Sequence, residues 1–140
     1  MSGNAHAIHN ETLCDHLATD GRFNDWVVTT AFYSALHYFQ SELFPLTVES
    51  VTYPTFNEYH IKYIGRKKKL NISKHEAILR VVRKELSSAY SNYKWLYDSC
   101  MTARYKQYLV SPKKAQTAKS HLDTIKVKIY GTVTSTGAVL

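Results

Sequence analysis

The sequence predicts an all-α protein, an antiparallel up-and-down bundle of four to five helices. Apolar residues recur at three- and four-residue steps along most of the chain, and short stop signals separate these segments. No strands alternate with the helices, which argues against an α/β fold. At 140 residues, 44% hydrophobic and 21% charged, the chain is expected to form one domain, with a core at about 10–127 and a flexible tail at about 128–140.

The first two helices are predicted from their end signals. The first covers Glu11 to Asp20, with Asn10 as the N-cap and Gly21 as the terminator. The second covers Phe23 to Phe44 and ends at Pro45, because an interior proline removes a backbone donor. Its apolar stripe is wide, so we expect a central helix with neighbours on several sides.

The middle of the chain is less regular. Residues 45–55 have a β-prone composition but no evident partner strand, so a loop is predicted. For residues 56–70 a helix and a turn-rich insertion both remain open. Ser73 and Glu76 form a capping-box pattern that predicts a helix start, and Ser87–Ser88 indicate a break before the next helix.

The last helix is predicted from Ser111–Pro112, an N-cap followed by proline at the first helical position. Apolar residues then repeat on one face as far as Ile125. From Tyr130 the chain is rich in Thr, Val and Gly, and we expect a frayed or paired tail.

Composition narrows the classes of partner. A formal net charge of +7 favours RNA or another polyanion, because clustered cations bind phosphates by releasing counterions. Cys14 and Cys100 are far apart in sequence, so we expect reduced thiols and a cytoplasmic protein. No secretory signal pattern is evident, and the uncharged run 26–41 is shorter than a membrane span of ~20 residues. No membrane partner is predicted.

Two segments resemble a known family. DWVVTTAFYSALHYFQ, residues 25–40, and YKWLYDSCMTARY, residues 93–105, precede a helix that begins with Ser-Pro, and together they resemble uncharacterised bacterial and archaeal HEPN-like proteins over residues 10–127. The resemblance implies a helical bundle that forms a homodimer, with a nucleotidyltransferase-like protein as a candidate partner. Many members are metal-independent ribonucleases of toxin–antitoxin or other defence systems, whereas others bind nucleotides or only dimerise.

The ribonuclease motif of that family is absent. It is an arginine followed four to six residues later by a histidine, and no arginine of this chain has a histidine at that spacing. Metal-free RNA cleavage needs a group that takes the 2′-hydroxyl proton near neutral pH, which histidine does best. The sequence therefore favours a nucleic-acid-linked or regulatory binding module without catalysis. The alternatives are a divergent ribonuclease, in which Arg104 acts with Tyr105 or His37, and a structural interaction subunit.

Each candidate catalytic residue also has a structural interpretation. Arg104 and Tyr105 form either a phosphate- and base-binding pair, or a helix-end arginine with a core tyrosine. In the second case the arginine complements the helix dipole or pairs with an acidic neighbour such as Asp98 or Asp25. His37 is either a general base or pH sensor, or a core or interface histidine with one hydrogen bond.

A run of basic residues is the main candidate for binding nucleic acid, and a solvated charged loop is the alternative. Tyr59 and Tyr63 lie just upstream as candidate stacking surfaces. The candidate phosphate-binding residues are Arg66, Lys67, Lys68, Lys69, Arg80 and Arg83.

No metal or cofactor is predicted. The sequence contains no phosphate-binding glycine loop, no GxSxG and no HExxH. Histidines are numerous but lack a recognised ligand spacing, so adventitious surface histidines are the favoured interpretation. The histidines considered are His6, His9 and His16, and His60 with His75.

Overall fold

The computed structural model describes residues 4–131 and confirms the all-α prediction. Four long helices run up, down, up and down, and the second lies at the centre, packed against the other three. A smaller insertion separates the second long helix from the third. In chain order the elements are α1 (Ala5–Asp20), α2 (Asn24–Glu42), β1 (Leu46–Val48), β2 (Val51–Tyr53), α3 (Phe56–Glu58), a π-helix (Tyr59–Lys67), α4 (Lys74–Glu85), a 3-10 turn (Ser87–Ala89), α5 (Tyr90–Tyr105) and α6 (Pro112–Tyr130).

Helix α1 begins earlier than predicted. Asn10 is not the N-cap: it lies inside the helix, where its side-chain amide donates to the His6 carbonyl, and Asn4 occupies the N-cap position. The extra turns are held because Ala7 continues the inward face and its carbonyl accepts a 2.8 Å hydrogen bond from Ser34. Gly21 ends the helix as predicted, at φ 83°, a conformation that favours glycine.

Helix α2 ends at Glu42, two residues before the predicted end at Phe44 and three before Pro45. Its buried side chains form the middle of the core. Phe32 and Phe39 pack against the fully buried Tyr93 of α5, with ring centroids 5.5 and 4.9 Å from the tyrosine ring. This aromatic contact joins the central helix to α5.

The prediction of a loop at residues 45–55 is wrong. β1 and β2 pair as an antiparallel hairpin with Leu46 opposite Tyr53 and Val48 opposite Val51. The connecting residues Glu49 and Ser50 both have positive φ, 51° and 70°, as a two-residue turn of type I′ requires. The segment supplies its own partner strand, and its turn lacks the Asn-Gly or Asp-Gly pair that usually marks one.

Residues 56–67 are helical, which decides the open alternative. After the single turn of α3 the chain continues as a nine-residue π-helix with Tyr59 and Ile64 buried. These residues are five apart, which is the hydrogen-bond spacing of a π-helix.

The later end signals act as predicted. Ser73 and Ser111 accept hydrogen bonds from the backbone N–H of Glu76 and Lys114. The Glu76 carboxylate bonds to Arg80 instead of completing the capping box. The 3-10 turn lies at the predicted break between α4 and α5. Helix α6 continues to Tyr130, so residues 128–130 of the predicted tail at about 128–140 are helical instead. The rest of that tail, from residue 132, lies outside the described residues.

Candidate nucleic-acid interface

Positive charge is concentrated in the insertion between α2 and α5. Residues 49–85 hold nine of the 18 Lys and Arg residues and four of the 11 Asp and Glu residues, and so carry +5 of the net +7. Helix α6 is also basic, but Lys119 pairs with Asp15 and Lys126 pairs with Glu11 of α1. The α6 lysines therefore partly neutralise the acidic first helix, and the insertion is the stronger positive surface.

The hairpin, the π-helix and α4 enclose a cleft of about 240 Å³. Lys68 directly follows the π-helix, and Arg80 and Lys84 lie on successive turns of α4. The structure thus brings part of the basic run and part of the basic face of α4 to one place, which the sequence could only suggest. The apolar lining consists of Leu46, Val48, Tyr59, Tyr63, Ile64, Leu70 and Val81, and Glu85 is the acidic lining residue.

Glu49 in the hairpin turn binds the basic run. Its carboxylate accepts from Lys67 at 2.9 Å, from Lys68 at 3.0 Å and from the Tyr63 hydroxyl at 2.9 Å. Hydrogen bonds from these three donors, of which the bond from Lys67 has the largest effect, lower the pKa of the Glu49 carboxylate to about 2. Sequence reasoning missed this residue, because nothing in the local pattern links position 49 to positions 67 and 68.

The remaining cations differ in how far they are engaged. Among residues 4–131, Arg66, Lys69 and Lys84 form no ion pair, and Arg80 pairs with Glu76 at 3.1 Å on the exposed face of α4. Arg83 lies over the Tyr90 ring, with its guanidinium carbon 5.4 Å from the ring centre.

The two tyrosines predicted to stack on bases have different surroundings. Tyr59 is buried between Phe44 and Phe56, so the prediction of a free stacking surface is wrong for this residue. Tyr63 is half-buried, with Lys68 Nζ 5.5 Å from its ring centre. The cleft is therefore suited to phosphates more than to bases.

Arg104 lies at the exposed end of α5. Its Nη1 is 3.5 Å from the Tyr33 hydroxyl, and its guanidinium carbon is 5.8 Å from the Trp26 ring centre and 5.5 Å from the Tyr105 ring centre. Asp98, a candidate partner, instead accepts two 2.8 Å hydrogen bonds from Lys94. Tyr105 is 71% exposed and is not a core anchor.

His37 lies on α2, one turn beyond Tyr33, and stacks on His6 of α1 with ring centroids 3.6 Å apart. It is half-buried, and this burial, together with the nearby His6, lowers the pKa of His37. Between Asn4 and Gly131 no hydrogen bond joins His37 to Arg104. Arg104 contacts Tyr33 whereas His37 stacks on His6, so the structure does not show these two candidate catalytic residues as a pair.

His60 and His75, also considered as metal ligands, each contact another part of the chain. His60 Nε2 lies 2.9 Å from the Ile72 carbonyl, and His75 packs against Phe32 and Tyr97, each with ring centroids 5.6 Å apart. In the part of the chain that the structure describes, no group of three or more His, Cys, Asp or Glu side chains is placed to hold a metal ion.

Comparison with protein-family models, with curated proteins and with solved structures found no match to this chain. The described helices include none that is long and apolar enough to cross a bilayer. A function is therefore assigned from two features of the structure. They are the basic cleft, defined as the cleft lined by Lys68, Arg80 and Lys84, and the surroundings of Arg104.

Proposed function

We propose that this chain is a HEPN-like cytoplasmic module that binds nucleic acid through the basic cleft, works as a homodimer and does not catalyse a reaction. The observation that carries the binding role is the convergence of Lys68, Arg80 and Lys84 on one cleft in the most positive part of the chain. Cations clustered in this way bind phosphates by displacing counterions.

The ion pairs around the cleft do not prevent phosphate binding. Lys68 and Arg80 are about half exposed in their pairs with Glu49 and Glu76. Exposed pairs of this kind contribute only about 0–1 kcal/mol, so a phosphate can replace the carboxylate. Arg80 can then hold two phosphate oxygens with its planar fork, and Lys84 adds a point charge one turn away. Contacts of this type position a nucleic acid without selecting its sequence.

The up-and-down helical bundle is compatible with the HEPN-like resemblance, which is also the source of the homodimer and of a nucleotidyltransferase-like partner. Light scattering on the purified chain tests the first point. A mass of twice 16.1 kDa is expected, and a mass of 16.1 kDa at micromolar concentration would remove the homodimer from the proposal.

The binding role is tested with two charge-matched double variants. Arg80→Gln/Lys84→Gln removes one paired and one unpaired cation from the cleft. Lys94→Gln/Lys113→Gln is the control, because Lys94 has an equivalent i,i+4 pair with Asp98 and Lys113 forms no ion pair within residues 4–131. Both variants lower the net charge by two, so only position distinguishes them.

Affinity for a labelled RNA is measured by fluorescence anisotropy from 50 to 300 mM salt with EDTA present. In the cleft variant we expect weaker binding and a salt slope that falls by about 1.4 to 1.8, the value for two lost phosphate contacts, whereas the control should retain its slope. Equal losses in both variants would show a general charge effect and contradict the cleft.

The same samples test the ribonuclease alternative, which is favoured by one observation: Arg104 is exposed and its guanidinium forms no ion pair in the described range 4–131. RNA recovered after incubation is run on a denaturing gel. Intact RNA supports the binding module. Cleavage that Arg104→Ala abolishes would instead support catalysis.

A further inference from the structure

A second surface lies at the end of the bundle where α2 begins and α5 ends. It exposes large aromatic and apolar side chains that no described element covers, including Tyr105 at 71%, Tyr108 at 67% and Leu109 at 69%. Single exposed apolar residues are ordinary, but a group of them marks an interaction site. We call this surface the aromatic end patch and define it as Phe23, Trp26, Tyr105, Tyr108 and Leu109.

The loop after α5 is held against the start of α2. The Val110 carbonyl accepts a 3.1 Å hydrogen bond from the Asn24 side chain, which joins the two segments. Gln107 forms two hydrogen bonds that fix the conformation of this loop. Its side-chain oxygen accepts from the Leu109 backbone N–H at 3.0 Å, and its backbone N–H donates to the Thr102 carbonyl at 2.9 Å. These bonds present Tyr108 and Leu109 at the same end of the bundle as Trp26.

Arg104 is positioned in this patch with most of its donors free. Its guanidinium carbon lies within 6 Å of the centres of both the Trp26 and the Tyr105 rings, as in cation–π contacts. Of its five N–H donors, one reaches the Tyr33 hydroxyl at 3.5 Å. No carboxylate among residues 4–131 pairs with it. An arginine that is positioned by two aromatic rings and has no acidic partner can donate two hydrogen bonds to a phosphate.

We infer that the aromatic end patch binds unpaired nucleobases, with Tyr105, Trp26 and Tyr108 as stacking surfaces and Arg104 on a neighbouring phosphate. This rests on the proposed function, because the ligand is the nucleic acid that the cleft binds, and it adds a preference for single strands. Base faces are accessible in a single strand and hidden in a duplex, so aromatic platforms select the former.

Charge favours this occupant over a second copy of the chain. Arg104 and Lys106 flank Tyr105 in sequence, and neither forms an ion pair within residues 4–131, whereas Arg22 beside Phe23 is paired with Asp20 at 2.7 Å. A twofold contact between two such patches would bring these cations against their own copies, which opposes association. A phosphate backbone is instead complementary to them.

The cleft and the patch predict different behaviour. The cleft acts through charge, so its contribution falls steeply with salt and applies to single strands and duplexes alike. The patch acts mainly through stacking, so its contribution depends weakly on salt and requires unpaired bases. The contributions of the two sites can therefore be tested and refuted independently of each other.

The test uses the full chain with Trp95→Phe, which leaves Trp26 as the one remaining tryptophan of two. The probes are a 12-nucleotide single-stranded RNA, the DNA of the same sequence, and the RNA annealed to its complement. We expect both single strands to quench Trp26 fluorescence and the duplex to leave it unchanged. RNA and DNA respond differently only if the 2′-hydroxyl is recognised.

Tyr105→Ala/Tyr108→Ala is then compared with Arg80→Gln/Lys84→Gln. The tyrosine variant is expected to bind single strands at least about tenfold more weakly with an unchanged salt slope, and to bind the duplex as before. Tyr105→Leu/Tyr108→Leu keeps apolar bulk without an aromatic face and should lose as much. Both tyrosines are exposed, and an unchanged melting temperature confirms that the variants fold.

Each other outcome has a defined meaning. If the duplex binds through the cleft but the tyrosine variants bind single strands like the parent chain, the patch inference is wrong and the proposed function stands. If the cleft variant binds normally and the tyrosine variants do not, the assignment of nucleic-acid binding to the cleft is wrong and the inference about the aromatic end patch is supported. If the tyrosine variants turn a dimer into a monomer without changing RNA affinity, the patch is an interface between copies and the inference is overturned.

Discussion

Replacing Tyr93 by phenylalanine should stabilise this protein. Tyr93 is fully buried on α5, and within residues 4–131 its hydroxyl is the one buried side-chain oxygen or nitrogen without a hydrogen-bond partner. Burial also raises the pKa of this phenol well above its usual range, so the group stays neutral. A buried hydroxyl without a hydrogen bond costs about 1–3 kcal/mol, and its removal keeps the ring contacts with Phe32 and Phe39.

We expect Tyr93→Phe to raise the free energy of unfolding by about 1 kcal/mol, since the lost packing of one oxygen atom offsets part of the gain. The melting temperature should rise by about 4 °C for a chain of this size. The measurement is urea unfolding followed by circular dichroism at pH 7, with the slope checked for two-state behaviour.

The matched control makes the same chemical change where the hydroxyl is bonded. Tyr38 is also buried, and its hydroxyl donates to Glu11 Oε1 at 2.6 Å. Tyr38→Phe should lower the free energy of unfolding by about 1.5 kcal/mol, because a hydrogen bond to a charged group is lost. A destabilised Tyr93→Phe would refute the reasoning and indicate that the Tyr93 hydroxyl has a partner in solution.

Three further predictions concern pH, thiols and helix ends. Burial lowers the pKa of His37, and likewise those of His75 and His121, so the unfolded chain binds protons more readily and stability should fall as the pH drops below 6.5. His37→Gln should reduce this dependence by the His37 contribution in urea titrations at pH 7.5, 6 and 5. Burial raises the pKa of the Cys14 and Cys100 thiols, so Ellman's reagent should detect no thiol in the native protein and two after denaturation; fast native labelling would contradict their burial. Ser111→Ala should lower the free energy of unfolding by about 1 kcal/mol and Ser111→Thr by less, and equal losses would show that the hydroxyl is not the cap.

Local signals explain what could be predicted from the sequence. Gly21, Ser73 and Ser111 act on backbone groups within three or four residues, so their roles follow from the chain itself. The hairpin was not predicted because Glu49–Ser50 adopt positive φ without a glycine to signal the turn, and residues 56–70 stayed open between a helix and a turn-rich insertion because most of this segment is a rare π-helix.

The sequence alone determined the all-α class, a bundle of four to five helices and the type of residue that any phosphate site would use. Only the tertiary structure decided which of those residues meet. Glu49 reaches Lys67 and Lys68, and Trp26 reaches Arg104, across intervals of 18 to 78 residues that no local pattern spans. Helical periodicity determines which face of a helix a side chain occupies. The residue that this side chain contacts depends on how α2 packs between α1, α5 and α6 and on how the insertion folds.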